Sequence, residues 1–145
     1  WVSYNPDIAD VDEKGVITAK KTGVTFIQAT SASGRVAVIQ ITVKETLTAV
    51  TLKPEKATIE VGESMTLTPD FLPAAAYDKS MEWSIADPSI AKLENQGESS
   101  VKVTGLKGGI TLIKGVAKSG GFVVSCLLTV TEKSTSVEVN YILQL

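Results

Sequence analysis

Trp83-Ser84-Ile85-Ala86-Asp87-Pro88-Ser89-Ile90-Ala91-Lys92-Leu93-Glu94-Asn95-Gln96-Gly97 has a twin at the other end of the chain. The twin is Trp1-Val2-Ser3-Tyr4-Asn5-Pro6-Asp7-Ile8-Ala9-Asp10-Val11-Asp12-Glu13-Lys14-Gly15. Trp, Pro, Ile-Ala and Gly recur at one constant offset. After a short insertion the match resumes: Gly23-Val24-Thr25-Phe26-Ile27 answers Gly109-Ile110-Thr111-Leu112-Ile113, and Ile41-Thr42-Val43 answers Leu128-Thr129-Val130. A repeat of domain size is the mark of an array of modules.

A chain of 145 residues fits one domain or two small ones, and the repeat favours two. Residues 46–131 have the size of one complete small sandwich. Residues 1–45 start at their Trp and lack the opening third, so that copy is expected to be N-terminally incomplete. Residues 132–145 form a separate tail.

Period-2 alternation dominates and no 3.6-residue apolar stripe is present. Met65, Leu67 and Phe71 share a face, as do Met81, Trp83 and Ile85. Ile110, Leu112 and Val116 alternate in the same way, and Phe122, Val124, Cys126, Leu128 and Val130 form a long inward row. Val36, Val38 and Ile41-Val43 do similar work in the first copy, with a register break near Ile39-Gln40 of the kind a bulge produces. Turn signals at Val61-Gly62-Glu63-Ser64, Asp87-Pro88-Ser89, Glu94-Asn95-Gln96-Gly97, Lys107-Gly108-Gly109 and Ser119-Gly120-Gly121 separate the runs. Short strands with turns at such spacing read as an all-β sandwich or barrel. Ala74-Ala75-Ala76, just after Pro73, reads as a loop or one helical turn.

Several partners and chemistries fall away on composition. Net charge is −2, with 14 basic and 16 acidic residues and no basic stripe, so nucleic acid is not an expected partner. No apolar run approaches the roughly 20 residues that span a bilayer, so no membrane insertion is expected in this segment. There is no histidine, which removes the commonest general base and metal ligand and makes a Ser-His-Asp triad impossible. Gly108-Gly109 and Gly120-Gly121 precede strands, not helices, so no phosphate-cradling loop is read. The single Cys126 leaves the redox compartment open.

The chain resembles tandem bacterial immunoglobulin-like domains of group 2, the repeats of intimin- and invasin-type surface proteins. The matching pieces are Val50-Thr51-Leu52, Val61-Gly62-Glu63-Ser64-Met65-Thr66-Leu67, and the row from Trp83 through Pro88 to Ile90-Ala91. In the first copy they are Trp1 through Ile8-Ala9, Val11 to Ala19, and Gly23-Val24-Thr25. The resemblance implies tandem Greek-key β-sandwiches. It implies a non-enzymatic spacer or adhesion module at the bacterial cell surface, joined to other modules of its array and open to a host protein or glycan ligand. The alternatives are an accessory module of a secreted carbohydrate-active enzyme and a decoration domain of a phage tail protein. The second copy departs from the pattern at Glu98 to Gly108, which puts its local hairpin in doubt.

Individual residues favour packing over chemistry. Trp1 and Trp83 could stack on sugars, but alternation of Trp83 with Met81 and Ile85 places them in the core. Tyr4 and Tyr77 are the exposed aromatics, neither in a cluster. Asp10-Val11-Asp12-Glu13-Lys14-Gly15 imitates the start of a calcium loop, yet Lys14 and Lys21 stand where ligands belong, so a hairpin turn is the better reading. Cys126 corresponds to Ile39 of the first copy, which says packing. No catalytic, cofactor-binding or metal residues are assigned, and no cofactor.

The tail alternates Val137, Val139, Tyr141, Leu143 and Leu145. Such a strand needs a partner. Three options stand: it opens a further module, it pairs within its own chain, or it pairs with a neighbouring chain through Val137-Leu145. Filling the gap in the first copy looks hard, since a dozen residues reach at most about 40 Å.

Overall fold

The computed structural model describes residues 1–144, and Leu145, the last apolar residue of the tail, lies outside them. The chain divides into two compact units. The first gathers Trp1–Thr48 with Leu72–Asp78; the second gathers Ala49–Phe71 with Lys79–Leu145. Every regular element among the described residues is a β-strand, as the alternation requires.

The first unit holds β1 (Val2–Ser3), β2 (Ala9–Val11), β3 (Ile17–Ala19), β4 (Gly23–Thr30) and β5 (Val36–Val43). Strands β1-β4-β5 form one antiparallel sheet and β2-β3 a hairpin. The second unit adds β6 (Ala49–Leu52), β7 (Lys56–Glu60), β8 (Ser64–Leu67) and β9 (Pro69–Leu72). It continues with β10 (Met81–Ile85), β11 (Ala91–Gln96), β12 (Ser100–Gly105), β13 (Gly109–Ala117) and β14 (Val123–Thr131). A four-stranded sheet, β10-β13-β14-β7, lies against a three-stranded one, β11-β12-β8, and β6 pairs with β9. This is an immunoglobulin-like sandwich. The doubtful hairpin is regular: β11 and β12 pair over six residues each, twice the length of β2 and β3.

The core of the second unit is built from alternate residues of its central hairpin. Thr111, Ile113 and Ala117 of β13 and Val124, Cys126, Leu128 and Val130 of β14 are buried against Leu67, Val101 and Val103 of the opposite sheet. The row expected on β14 is therefore the inward one. On β13 the reading inverts. Ile110 and Leu112 point outward and are exposed, because the register Ile113↔Cys126 puts the odd-numbered residues inside. The break expected near Ile39-Gln40 is also absent. β4 and β5 pair without interruption from Gly23↔Val43 to Thr30↔Val36, so Ala37, Ile39, Ile41 and Val43 share one face while Val36 and Val38 occupy the other. Apolar residues on both faces of β5 imitated a register shift.

Around Pro88 and Pro6 the repeated sentence does the same work in both units. Thr111 and Thr25 are the buried polar side chains of the core. Thr111 Oγ1 accepts the N–H of Asp87 at 3.0 Å, and Thr25 Oγ1 accepts that of Asn5 at 2.9 Å. Asp87 Oδ1 then accepts from Ser89 N–H at 2.9 Å and Asn5 Oδ1 from Asp7 N–H at 3.2 Å, closing Asx turns around Pro88 and Pro6. The next apolar residue turns its carbonyl to two successive N–H groups: Ile90 to Leu106 and Lys107, Ile8 to Lys20 and Lys21. Its side chain lies on a glycine with positive φ. A Cβ at Gly109 would meet Ile90 Cδ1 at 2.8 Å, and one at Gly23 would meet Ile8 Cδ1 at 2.8 Å. Ala91 and Ala9 follow, both without exposed surface.

The units differ at β14 and its counterpart β5. The pairs Ile113↔Cys126 and Ile27↔Ile39 occupy the same place in their hairpins. Cys126 is 0% exposed and Ile39 55%. β14 is flanked by β7, whereas β5 is the edge of its sheet among the described residues. Residues 132–144 carry no strand and are exposed, Tyr141 by 89%.

Two expectations follow. Leu128→Ala should destabilise the second unit by about 2–5 kcal/mol, and Ile39→Ala the first by less than about 1 kcal/mol. Urea unfolding followed at Trp83 and Trp1, one indole in each unit, checks both. The hydrogen bonds from Ser89, hydroxyl first and N–H second, hold the Asp87 carboxyl below its usual range. A carboxyl whose folded pKa is depressed stabilises the fold above the unfolded carboxylate pKa and loses that contribution as pH falls through the folded value. Thermal midpoints are therefore expected to drop below roughly pH 4, with a shallower drop in Asp87→Asn.

Candidate functional site

The aromatic residues divide unequally between core and surface. Trp83 is half-buried, its Nε1–H donating to Ser99 C=O at 3.1 Å. Its ring covers the bare backbone across the strand pair: a side chain on Gly115 would meet Trp83 Cζ3 at 2.8 Å. Trp1 was expected in the core as well, and is not; it leans on Gly15 at the β2–β3 turn and stays 55% exposed. Tyr4 and Tyr77 are exposed as expected, but each has company. The Tyr4 ring lies 6.3 Å from that of Phe26, and its hydroxyl bonds Gln28 Oε1 at 2.7 Å. Lys44 Nζ sits 3.3 Å above the Tyr77 ring, a cation–π contact.

The carboxylates of Asp10-Val11-Asp12-Glu13-Lys14-Gly15 are occupied by protein groups. Asp12 Oδ1 accepts from Lys14 and Val16 N–H at 2.9 and 2.8 Å, the turn of a β-hairpin. Asp10 Oδ2 pairs with Lys20 Nζ at 2.8 Å, and this hydrogen bond, reinforced by one from Val11 N–H, holds its carboxyl below the usual range. No cluster of three metal-ligating side chains occurs among the described residues. Cys126 is buried in the apolar row, and desolvation pushes its thiol pKa up, so it stays protonated and shielded.

A groove of about 470 Å3 in the second unit runs beside the part of β14 that precedes its pairing with β7. Leu112, Val123 and Leu127 line it together with Lys53, Glu55 and Lys56. It holds one carboxylate between two lysines, not the facing pair that acid–base hydrolysis needs. It can offer an apolar floor and exposed strand backbone to an extended ligand. The apolar outer face that leads into it, Ile110, Leu112, Val123 and Leu127, was missed in the sequence because Ile110 and Leu112 were read as an inward row and Val123 and Leu127 were given no face. The first unit carries Val24, Phe26, Val36 and Val38 on the equivalent face, all exposed.

The geometry therefore shows packing devices and exposed apolar sheet faces. A family model for the bacterial Ig-like domain (group 2) matches residues 46–128. An Ig-like virion protein of Serratia phage KSP90 is 34% identical over 114 residues, covering 77% of this chain and 43% of that protein. An uncharacterized protein of Clostridium acetobutylicum is 28% identical over 134 residues, 90% of this chain and 13% of that protein. The chain thus spans less than half the length of these curated relatives. Among solved structures, domains 1–6 of the surface layer protein SbsC share the fold with a TM-score of 0.54 at 19% identity, over 92% of this chain and 20% of that one. Domains 4–9 of the same protein give a TM-score of 0.53 at 18% identity, over 94% of this chain and 22% of that one. No helix among the described residues is long and apolar enough to cross a membrane. A sandwich with this strand order, matched by the family over residues 46–128, decides the matter: the chain belongs to the bacterial Ig-like domain (group 2) family.

Proposed function

We propose that this chain is a non-enzymatic structural module, a stretch of tandem Ig-like domains that spaces or displays other parts of a longer extracellular polypeptide on a bacterial cell surface. The observation that carries the reading is the duplicated corner, in which Thr25 and Thr111 anchor Asn5 and Asp87 through the same hydrogen bond. That two units solve one packing problem in the same way supports reading them as modules of one array. Their shared residues are consumed in holding the fold, which leaves binding to loops, sheet edges and the exposed apolar faces. Partners are then the neighbouring modules, a strand that pairs with the tail from Val137 onward, and a host protein or glycan.

The virion protein of phage KSP90 favours a second placement, the same module on a phage particle. Both placements put the chain outside. Antibodies raised against it should label intact, unpermeabilised cells or particles that carry the parent polypeptide, and which of the two is labelled separates the placements. Labelling seen only after lysis would sink the extracellular reading. A glycan array probed with the chain distinguishes a pure spacer, which retains nothing, from a carbohydrate-binding accessory module.

A further inference from the structure

One face of the first unit differs from its counterpart in the second, and the difference is chemical rather than architectural. The two faces correspond rung for rung. Val2↔Gln28 in the first unit answers Ser84↔Lys114 in the second. Tyr4 N–H donates to Phe26 C=O at 2.9 Å, and Ala86 N–H to Leu112 C=O at 3.0 Å. Tyr4, Phe26 and Gln28 therefore occupy the places of Ala86, Leu112 and Lys114. The second unit pairs the same strands without a ring at the first two places or an amide at the third, so the fold does not require them.

Tyr4 and Phe26 stand side by side on the outer face of the sheet β1-β4-β5, both exposed, with ring centroids 6.3 Å apart and planes tilted by 51°. The Tyr4 hydroxyl donates to Gln28 Oε1 at 2.7 Å, and Gln28 Nε2 donates to Thr30 Oγ1 at 3.1 Å. This run of bonds holds three surface side chains in one arrangement, so less rotamer freedom is left to lose when a ligand lands. It leaves a second amide N–H on Gln28 and the Thr30 hydroxyl proton as donors. Gln40 and Thr42 of β5 lie directly across from Phe26 and Val24 and add a further amide and hydroxyl. From Val24 to Thr30 the face runs about 20 Å, room for a short run of sugar rings.

Charge decides the class of ligand. Strands β1, β4 and β5 contain no charged residue, whereas the equivalent face of the second unit carries Lys114. A nucleic acid, an acidic glycan or a charged peptide finds no counter-ion here. Aromatic rings beside amides and hydroxyls match an uncharged pyranose chain. The ring C–H bonds of the sugar, polarised by its oxygens, rest on the negative face of the π-system, and its hydroxyls exchange hydrogen bonds with the amides. A flat three-stranded surface suits an extended ribbon rather than a coiled chain, and a ribbon is the shape that β-1,4 linkage gives.

We infer that the outer face of β1-β4-β5 is a binding platform for an uncharged, extended β-1,4-linked polysaccharide, with Tyr4 and Phe26 as its stacking residues and Gln28 as a hydrogen-bonding one. The inference rests on the reading of the chain as an extracellular module with a glycan among its partners, and it gives that partner a place and a chemistry.

Affinity electrophoresis of the full chain tests it, in native gels cast with hydroxyethylcellulose, arabinoxylan or glucomannan, and with polygalacturonate as the charged counterpart. At least one uncharged polymer should slow the chain twofold or more, and polygalacturonate should not. Tyr4→Ala with Phe26→Leu imports the residues that the same fold carries in the second unit, and should weaken binding tenfold or more. Gln28→Lys keeps both rings and should weaken it severalfold, which gives a second reading if the ring variant loses its urea transition at Trp1. Leu112→Ala, at the equivalent place of the second unit, should change nothing. The platform is overturned by free migration in all three uncharged polymers, by retardation that survives these substitutions, or by retardation in polygalacturonate alone. It is also overturned by a dimer in sedimentation that the ring variant dissolves, since a second copy then covers the face. Free migration of a chain that antibodies find on intact cells removes the platform and leaves the surface module standing. Retardation of a chain found only inside lysed cells keeps the platform and removes its extracellular setting.

Discussion

A threonine hydroxyl, buried where almost everything else is apolar, fixes the corner at which the chain leaves one sheet for the other. Strand β10 belongs to the four-stranded sheet and β11 to the three-stranded one, so the segment from Ala86 to Ile90 must cross between them. A crossing segment has no ladder to satisfy its backbone groups, and an unmet buried N–H costs about 1–3 kcal/mol. Thr111 meets the N–H of Asp87, the Asp87 carboxylate meets that of Ser89, and the Ile90 carbonyl takes up two more. Thr25 does the same for Asn5. With the corner pinned, Ile90 falls on Gly109 and Ala91 starts β11 with no exposed surface.

That constraint explains which parts of the architecture were legible in the sequence. Trp, Pro, Ile-Ala and Gly recur because each is fixed by geometry that tolerates few substitutes, so the duplication could be read directly. The threonines could not be singled out, since in strands rich in β-branched residues a threonine looks like propensity. Face assignment failed where both faces are apolar. Ile110 and Leu112 alternate as convincingly as Thr111 and Ile113, and only pairing with β14 decides which set is inside. Val36 and Val38 produced the false break in β5 for the same reason. Trp1 and Trp83 share a letter but not an environment. The parallel pairing of β7 with β14 could not be anticipated either, because alternation says nothing about which strand a segment pairs with or in which direction.

Residues that imitate chemistry are engaged in structure: Asp12 closes a hairpin, Asp10 pairs with Lys20, and Cys126 fills the core. The exposed sheet surfaces carry backbone edge and apolar side chains.

The parallel pairing of β7 with β14 sets a condition on biosynthesis. Its two strands are separated by almost the full length of the unit, from Lys56 to Leu127. Contacts so distant in sequence are the slow ones to form, because the loop between them must be ordered first. At roughly 5–20 residues per second, β7 emerges from the ribosome several seconds before β14 exists to receive it. Until then Ile59 has no lasting shelter, and the nascent chain must pass that interval with a sticky strand unpaired. A sheet whose early strand β7 is flanked by its last strand β14 cannot close on that side until β14 has been made.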